Sequence, residues 1–276
     1  MRNSALIGKY DVLKKTIASY RRVAVAFSAG VDSTFLLYTA KEALGAGGVV
    51  AITAESVLMP GSECTEAEAY CREQGIRHIV FQPDVMAVPG FSENPPNRCY
   101  LCKKNLFTQM LQLAENEAIR IVIEGSNVDD DSDFRPGMKA LSELGIRSPL
   151  KELGFTKKEI RSLSRALGLP TWEKPAYACL ATRIPYGESI DIPKLAMVEK
   201  AEKYLRELGF DEVRVRVHNT VIARIELNPN DFSRFMRGDV RLEVNQMLKG
   251  MGFAYVSLDL QGYRTGSLNE VLPESL

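Results

Sequence analysis

A segment of small and polar residues, F-S-A-G-V-D-S-T at positions 27–34, has the composition of a phosphate-binding loop. It follows an apolar run and precedes a helical pattern. Backbone N–H groups of Ala29, Gly30 and Val31 would point into an open concavity, and the N-terminus of a helix adds positive potential. Ser28 and Ser33 can donate hydroxyl hydrogen bonds to phosphate oxygens. The segment therefore predicts a site for a polyphosphate.

An aspartate within this loop indicates that a metal ion accompanies the phosphate. Asp32 would repel a bare phosphate, so we expect a bridging Mg²⁺. No lysine follows the glycine, which excludes a Walker A loop. The alternative is a capped helix start, in which Ser28 and Asp32 form only local hydrogen bonds.

The pattern S-x-G-x-D-S resembles the PP-loop, S-G-G-x-D-S, of the ATP pyrophosphatases. This resemblance implies that the loop holds the β- and γ-phosphates of ATP while a nucleophile attacks the α-phosphorus, giving an adenylate and pyrophosphate. Ala29 stands where the family usually has glycine. If that position needs a positive φ, alanine is strained there; if it only needs to be small, alanine is harmless.

A second polar segment follows another apolar run, and it carries four aspartates at positions 129, 130, 131 and 133. Ligands of open α/β sheets bind beyond the carboxyl ends of the strands. We therefore favour Asp129 and Asp131 as Mg²⁺ ligands, with Arg135 as a contact for a nucleotide or substrate phosphate. The alternative is a solvated acidic loop.

Five cysteines, at positions 64, 71, 99, 102 and 179, lie in a chain without an export signal, which indicates thiols rather than disulfides. Cys99 and Cys102 share one helix face, and nearby basic residues favour their thiolates. A C-x-x-C pair can be a redox pair, half a zinc site or a coincidence. Only His78 and His218 could complete a zinc site, which makes a four-ligand zinc centre a poor fit.

The fifth cysteine, Cys179, lies in a loop punctuated by prolines. Together with Cys99 and Cys102 it could hold three irons of a [4Fe–4S] cluster, leaving the fourth iron open to a hydrosulfide. The alternative is a buried structural thiol. We expect Cys64 and Cys71, seven apart on one helix, to have no catalytic role.

Three arginines suggest an anion site near the junction of the two domains. Arg214 and Arg216 share one face of an alternating strand, and Arg183 lies in the Cys179 loop. A solvated strand face is the alternative. Glu202, on the following helix, could serve as a base or as a hydrogen-bond partner, while Trp172 could either stack or pack.

These residues need a scaffold, and the hydrophobic pattern predicts one. Predicted strands at 23–27, 49–53, 76–81 and 119–124 alternate with predicted helices at 32–44, 64–74, 102–117, 138–144 and 156–167. Such alternation builds a doubly wound parallel α/β sheet. The last third reads as an α+β unit, with helices at 193–208 and 231–248 and strands at 213–217, 221–227 and 253–260. We place the domains at 1–187 and 188–276.

Composition limits the class of protein. At about 150 residues per domain, the 276 residues correspond to two domains, and the 35 basic and 35 acidic side chains give zero net charge. That balance argues against a protein that grips a long nucleic acid. No apolar run approaches the roughly 18 residues that span a bilayer, so we expect a soluble cytoplasmic protein.

Over nearly its whole length the chain resembles the LarE family of ATP-dependent sulfur transferases, which help to build the nickel-pincer nucleotide cofactor of lactate racemase. The motifs that carry the resemblance are the phosphate loop, D-F-R-P-G at 133–137, the Cys179 loop ending R-I-P-Y-G at 183–187, R-V-R-V-H-N at 214–219 and the tail from L-D-L at 258–260 to Gly266.

The resemblance implies that ATP and Mg²⁺ adenylate each carboxylate of a pyridinium dicarboxylate mononucleotide in turn, and that sulfur then displaces AMP. Some members sacrifice the sulfur of the cysteine that matches Cys179, while others bind a [4Fe–4S] cluster through three cysteines. Cys99 and Cys102 favour the second type, which needs a sulfide donor. The resemblance also favours Arg183, Arg214 and Arg216 as ligands of the mononucleotide phosphate, and it implies a homo-oligomer.

Two rival functions remain. One is another adenylating enzyme of the same superfamily, such as a tRNA thiolase or an amidase that uses glutamine or ammonia. Zero net charge and a single tryptophan argue against the tRNA enzyme, and three cysteines are superfluous in the amidase. The other rival is a nucleotide sensor without turnover.

Overall fold

The structure, a computed structural model, describes residues 2–59, 61–132, 136–175, 179–219, 221–264 and 266–273, without the side chains of residues 2–4, 131 and 132. The chain forms two compact units. The first comprises Met1–Ser56, Gly61–Val85 and Cys99–Tyr177, and the second comprises Val57–Pro60, Met86–Arg98 and Ala178–Leu276.

This division lies ahead of the boundary at residue 187 that the sequence predicts, and hydrogen bonds within the second unit explain the difference. The side-chain nitrogen of Asn94 donates to the carbonyl oxygens of Ile184, at 3.1 Å, and Pro185, at 2.7 Å. The N–H of Leu180 donates to the carbonyl of Leu58 at 2.9 Å. The Cys179 loop therefore groups with the second unit, together with two segments from early in the chain.

The first unit contains a parallel sheet between helices. Its elements are α1 (Arg2–Ser19), β1 (Val23–Ala26), α2 (Val31–Leu44), β2 (Val49–Ala54), α3 (Gly61–Gln74), β3 (Arg77–Phe81), α4 (Arg98–Asn116), β4 (Val122–Ile123), α5 (Gly137–Glu143), α6 (Pro149–Glu152) and α7 (Lys157–Ala166). The strands pair in the order β3-β2-β1-β4, all parallel. The chain adds β2 and β3 on one side of β1 and then β4 on the other, so the order of the strands reverses between β1 and β4. Open α/β sheets bind their ligands at such a point.

Alternation along β1 shows why helices cover both faces of this sheet. Val23 and Val25 point into one apolar cluster, which includes residues of α1, α2, α3 and α7. Ala24 points into another cluster, which includes residues of α4 and α5. Because successive strand residues face opposite sides, a fully apolar strand requires both layers of helices. The doubly wound α/β class predicted from the sequence is confirmed.

The second unit is a smaller α+β unit. Its elements are α8 (Ile192–Glu207), β5 (Val213–His218), β6 (Ile222–Leu227), α9 (Phe232–Phe235), α10 (Gly238–Gly250) and β7 (Tyr255–Leu258). Strands β5 and β6 are antiparallel and β7 is parallel to β6. Helix α8 packs against β5 through a buried apolar stripe that includes Leu195, Val198 and Leu205.

One predicted helix is divided in the structure. The sequence predicts a single helix over 231–248, whereas α9 ends at Phe235 and α10 begins at Gly238. Arg237 between them is extended, with φ −57° and ψ 141°. In the described ranges, every helix is too short or too polar to span a lipid bilayer.

Candidate functional site

The phosphate loop is closed by the two serines that the sequence singles out. Gly30 is the N-cap of α2 and has an extended backbone, and its carbonyl accepts from the N–H of Thr34 at 2.9 Å. The hydroxyls of Ser28 and Ser33 lie 3.2 Å apart, and the N–H of Ser28 donates to Ser33 Oγ at 3.3 Å. The helix N-terminus and these hydroxyls therefore meet in one turn, as phosphate binding requires.

Ala29 adopts the left-handed conformation, with φ 52°. The side chain is buried, so the strain of an L-residue in this region is held in place by the surrounding packing. Lys174 also fixes this turn, because its ammonium donates to the carbonyl of Ala29 at 3.0 Å and to Glu66 at 2.6 Å. The loop does need a positive φ at this position.

We expect Ala29→Val to lower the free energy of unfolding by about 1–3 kcal/mol, because a β-branched side chain cannot relax in the left-handed region. Ala29→Gly should change it little, since about 1–2 kcal/mol of relieved strain is offset by the entropy of glycine in the unfolded chain and by a lost buried methyl group. Urea unfolding of both variants tests this. Equal stabilities would contradict the assigned strain.

Asp32 extends from the first turn of α2 and contacts a lysine from a distant part of the chain. One carboxylate oxygen accepts a hydrogen bond from Nζ of Lys157. The other oxygen, Oδ1, is buried and has no hydrogen-bond partner among the described residues. Burial raises the pKa of Asp32, and the charge of Lys157 opposes this rise. A half-satisfied buried carboxylate in a phosphate loop has the chemistry of a Mg²⁺ ligand.

The end of β4 lies directly against the phosphate loop. A Cβ atom on Gly125 would lie 3.1 Å from the backbone nitrogen of Ser33 and 3.2 Å from the carbonyl carbon of Asp32. The neighbouring Glu124 is buried and accepts from the N–H of Ser126 at 3.1 Å, from its hydroxyl at 2.8 Å and from the hydroxyl of Ser148. Glycine at 125 therefore permits the close approach of the β4 end to the first turn of α2.

The acidic segment forms a 3-10 turn, Val128–Ser132. Asp129 accepts from the backbone N–H of Lys157 at 2.7 Å, and Asp130 accepts from the N–H of Asn127 at 2.9 Å. The negative charge of Asp130 contributes to the raised pKa of Asp32, so Asp130 belongs to the electrostatic surroundings of that carboxylate. The sequence analysis favoured its neighbours instead.

The predicted Mg²⁺ ligand set is described only in part. The side chain of Asp131 and the whole of Arg135 lie outside the described residues, so their parts stay predictions. Within either unit, no three His, Cys, Asp or Glu side chains among those described are placed to share a metal ion.

All five cysteines are unbridged thiols. Cys99 and Cys102 lie in the first turns of α4 and are half-buried. Cys64 and Cys71 lie buried on α3, and burial raises the pKa of both thiols, that of Cys71 to about 12. Such thiols stay protonated and are poor nucleophiles, which agrees with the expectation that Cys64 and Cys71 have no catalytic role.

Cys179 combines an exposed side chain with an anchored backbone. Its carbonyl accepts hydrogen bonds from the N–H of Thr182 at 2.9 Å, from the Thr182 hydroxyl at 2.7 Å and from Nη1 of Arg183 at 3.1 Å. The next residue, Leu180, is tied to Leu58. The loop thus presents the thiol to solvent on a fixed base.

Arg183 and Glu202 form a buried bidentate ion pair. Nε and Nη2 of Arg183 donate to the two Glu202 oxygens at 2.8 and 2.9 Å, and both side chains are 1% exposed. Glu202 also accepts from the N–H of Val215 at 3.0 Å and from Arg206 at 3.3 Å. Burial acts to raise the pKa of Glu202, but Arg183 and the other donors outweigh it and hold the pKa below its ordinary value. Of the two roles predicted for Glu202, base or hydrogen-bond partner, the structure has Glu202 as a hydrogen-bond partner of Arg183.

Arg216 is also paired, and Arg214 is stacked. Nε and Nη2 of Arg216 donate to Glu226 at 3.0 and 2.9 Å, and Nη2 also donates to Ser267 Oγ at 2.8 Å. The guanidinium of Arg214 lies 5.2 Å from the ring centre of Tyr263, and burial together with the nearby Arg183 lowers its pKa. The arginine face is therefore buried and not solvated, and its role in phosphate binding stays a prediction.

We expect Glu202→Gln to lower the free energy of unfolding by about 3–5 kcal/mol at neutral pH, because it leaves the buried Arg183 without its counter-charge. Urea unfolding measures this effect. Glu207→Gln is the matched control, because Glu207 lies on the same helix, is 63% exposed and is 3.9 Å from Lys203.

The same pair predicts a pH dependence. The folded-state pKa of Glu202 lies below the ordinary glutamate value of 4.5. The stabilisation is therefore complete above that value and is lost as the pH falls through the lower folded pKa. Glu202→Gln should remove this part of the acid dependence. An acid profile equal to that of the unsubstituted protein would contradict it.

The predicted site residues thus form two groups. The first unit brings together the phosphate loop, Asp32 and the β4 end, and it also carries Cys99 and Cys102 on α4. The second unit brings together Cys179, Arg183, Glu202, Arg214 and Arg216. The residues that the sequence analysis missed are Lys157, Lys174, Asp130 and Glu226. The T-x-x-E capping box at 156–159 is the one sequence signal that could have marked Lys157 as the start of a helix.

Two known proteins are similar to this chain over nearly its whole length. The chain is 38% identical over 272 residues to the pyridinium-3,5-bisthiocarboxylic acid mononucleotide synthase of Lactiplantibacillus plantarum. The aligned residues cover 99% of this chain and 98% of that protein. It is 45% identical to an uncharacterised protein of Synechocystis sp., over 97% of this chain and 99% of that one.

A more distant similarity covers about half of the chain. The argininosuccinate synthase of Natronomonas pharaonis is 28% identical over 54% of this chain and 40% of its own length. No protein-family model matches the chain. Because the identity to the mononucleotide synthase extends over nearly the full length of both proteins, this chain belongs to the LarE family.

Proposed function

We propose that this protein is an ATP-dependent sulfurtransferase that converts the carboxylates of a pyridinium-3,5-dicarboxylate mononucleotide to thiocarboxylates for nickel-pincer cofactor synthesis. The observation that carries the proposal is 38% identity over 99% of the chain to a pyridinium-3,5-bisthiocarboxylic acid mononucleotide synthase. The phosphate loop supports the use of ATP, because its hydroxyls, helix N-terminus and half-satisfied Asp32 suit a Mg²⁺-bound triphosphate.

In the first half-reaction a substrate carboxylate oxygen attacks the α-phosphorus of ATP, and pyrophosphate leaves. Ser28, Ser33 and the backbone N–H groups of residues 29–31 hold the β- and γ-phosphates. Asp32 would hold Mg²⁺, with Asp129 and Asp131 as further proposed ligands and Arg135 as a phosphate contact. Adenylation replaces a poor leaving group, oxide, by AMP.

In the second half-reaction a sulfur nucleophile attacks the activated acyl carbon, and AMP leaves as the carbon–sulfur bond forms. Two such rounds convert both carboxylates. Cys179 is our candidate for the sulfur centre, because its thiol is exposed on an anchored loop. Arg214 is our candidate contact for the mononucleotide phosphate, because it is buried close to another arginine, Arg183. Arg183 and Arg216 are further candidates, which the sequence predicts.

Thiolates are the ligands that an iron–sulfur cluster requires. Cys99 and Cys102 lie one helical turn apart near the N-terminus of α4, and all three thiols, Cys179 included, are unbridged. We propose that these three cysteines hold a [4Fe–4S] cluster, which when bound would supply a hydrosulfide at its open iron. A sulfide donor and a homo-oligomer belong to the same proposal.

Anaerobic reconstitution with iron and sulfide tests the sulfur source. We expect brown protein with an absorption band in the visible range and about four irons and four sulfides per chain. Colourless protein in which Cys179 loses the mass of one H₂S after turnover would favour sacrifice of that cysteine. Pyrophosphate release that depends on the pyridinium dicarboxylate mononucleotide tests the reaction itself, and its absence would favour a nucleotide sensor.

A further inference from the structure

Lys157 and Asp32 form a contact that neither the sequence motif nor the comparisons assign. Nζ of Lys157 donates to Oδ2 of Asp32, while Oδ1 of the same carboxylate is buried without a hydrogen-bond partner among the described residues. A buried carboxylate oxygen without a donor is unfavourable. One oxygen of Asp32 is thus neutralised by the chain, and the other is left for a ligand.

The position of Lys157 is unfavourable for its own helix. Thr156 is the N-cap of α7 and forms a capping box with Glu159, so Lys157 is the first residue of that helix. A cation at a helix N-terminus opposes the helix dipole. The Lys157 side chain is 31% exposed, so it has room to move. The positive charge of Lys157 is therefore explained by its contact with Asp32 of the phosphate loop.

We propose that Lys157 is a phosphate-binding residue that exchanges partners. It neutralises Asp32 before nucleotide binds, and it contacts the β- or γ-phosphate of ATP once Mg²⁺ has taken its place on Asp32. This inference rests on the proposed use of ATP. A lysine suits the exchange because its ammonium is a compact charge with three donors on a flexible stem.

Calorimetric titration with MgATP and with AMP separates this role from a structural one. We expect Lys157→Gln to weaken MgATP binding at least about tenfold, the worth of a charge-assisted hydrogen bond. AMP binding should not change, because AMP lacks the two outer phosphates. Mg²⁺ alone should bind more tightly to Lys157→Gln than to the unsubstituted protein, since Asp32 has lost its internal cation.

Two further variants complete the experiment. Lys158→Gln removes the same charge from the next residue of the helix, which is exposed, and should bind MgATP as the unsubstituted protein does. Lys157→Arg keeps the charge, so its MgATP affinity should lie between the other two; it also serves if Lys157→Gln does not fold.

Three outcomes would overturn the inference. If Lys157→Gln lost equal affinity for MgATP and for AMP, the role of Lys157 would be structural. If Lys157→Gln bound MgATP as tightly as the unsubstituted protein does, Lys157 would not contact the nucleotide. If the unsubstituted protein and Lys158→Gln both failed to bind MgATP, the proposed function would fail, and this inference with it.

Discussion

Release of pyrophosphate should fall at least about a hundredfold when Asp32 is replaced by alanine. Asp32 is the acidic side chain within the phosphate loop, and its buried Oδ1 has no hydrogen-bond partner among the described residues. Without the carboxylate, the Mg²⁺ that we propose beside the triphosphate would lose one of its protein ligands. The charge that develops on the leaving pyrophosphate is then less well neutralised.

The measurement is a coupled pyrophosphate assay at saturating MgATP and substrate. Glu42→Ala is the matched control, because Glu42 is an exposed acidic residue on the same helix, near its other end. Thermal unfolding of both variants checks that the fold is intact. If Asp32→Ala released pyrophosphate as fast as Glu42→Ala does, Asp32 would have no role in the reaction.

Formation of the thiocarboxylate should be lost entirely in Cys179→Ala, while pyrophosphate release continues. The substitution removes the exposed thiol, and the backbone bonds that anchor the loop do not involve the side chain. In the proposed mechanism adenylation depends on the phosphate loop and requires no thiol. The two half-reactions should therefore separate in this variant.

Mass spectrometry of the product, run beside the pyrophosphate assay, tests the separation. Cys64→Ala is the control, because Cys64 is buried and burial raises its pKa. Thiocarboxylate made by Cys179→Ala would assign the sulfur to another group. Loss of both half-reactions would show that the loop also supports adenylation.

The sheet and the phosphate loop were predictable because their signals are local. Apolar runs of strand length, each followed by small or polar residues, specify parallel strands whose ends meet at one edge. The run at 119–124 is the exception, since its strand covers only Val122–Ile123. The N–H of Ile119 donates at 2.9 Å to the carbonyl of Ala114, so the start of the run closes α4 instead of pairing with the sheet.

The ion pairs of the second unit were not predictable from the sequence, since they depend on strand register. The alternation in β5 correctly places Arg214 and Arg216 on one face. Only the pairing of β5 with β6 sets Arg214 opposite Glu226 and Arg216 opposite Arg224. Arg216 then reaches diagonally to Glu226. An alternating pattern identifies the face of a strand but not the charges of its neighbour.

The contact of Lys157 with Asp32 could not be predicted from the sequence for a similar reason. It is one of two adjacent lysines in a polar segment, which is typical of a solvated helix start, and it lies 125 positions from Asp32. Only the packing of α7 beside α2 brings the two charges together. The strain at Ala29 needed the structure as well, because an alanine in a loop does not by itself reveal the sign of its φ.

The exposure of Cys179, set against the burial of Cys64 and Cys71, also orders these thiols by their susceptibility to oxidation. Peroxide attacks thiolates that solvent can reach, and converts them first to sulfenic acid. Cys71, with a pKa raised to about 12 and almost no exposed surface, should survive longest. The thiol that we propose as the sulfur centre is thus also the one that peroxide should oxidise first, and a reductant should preserve it.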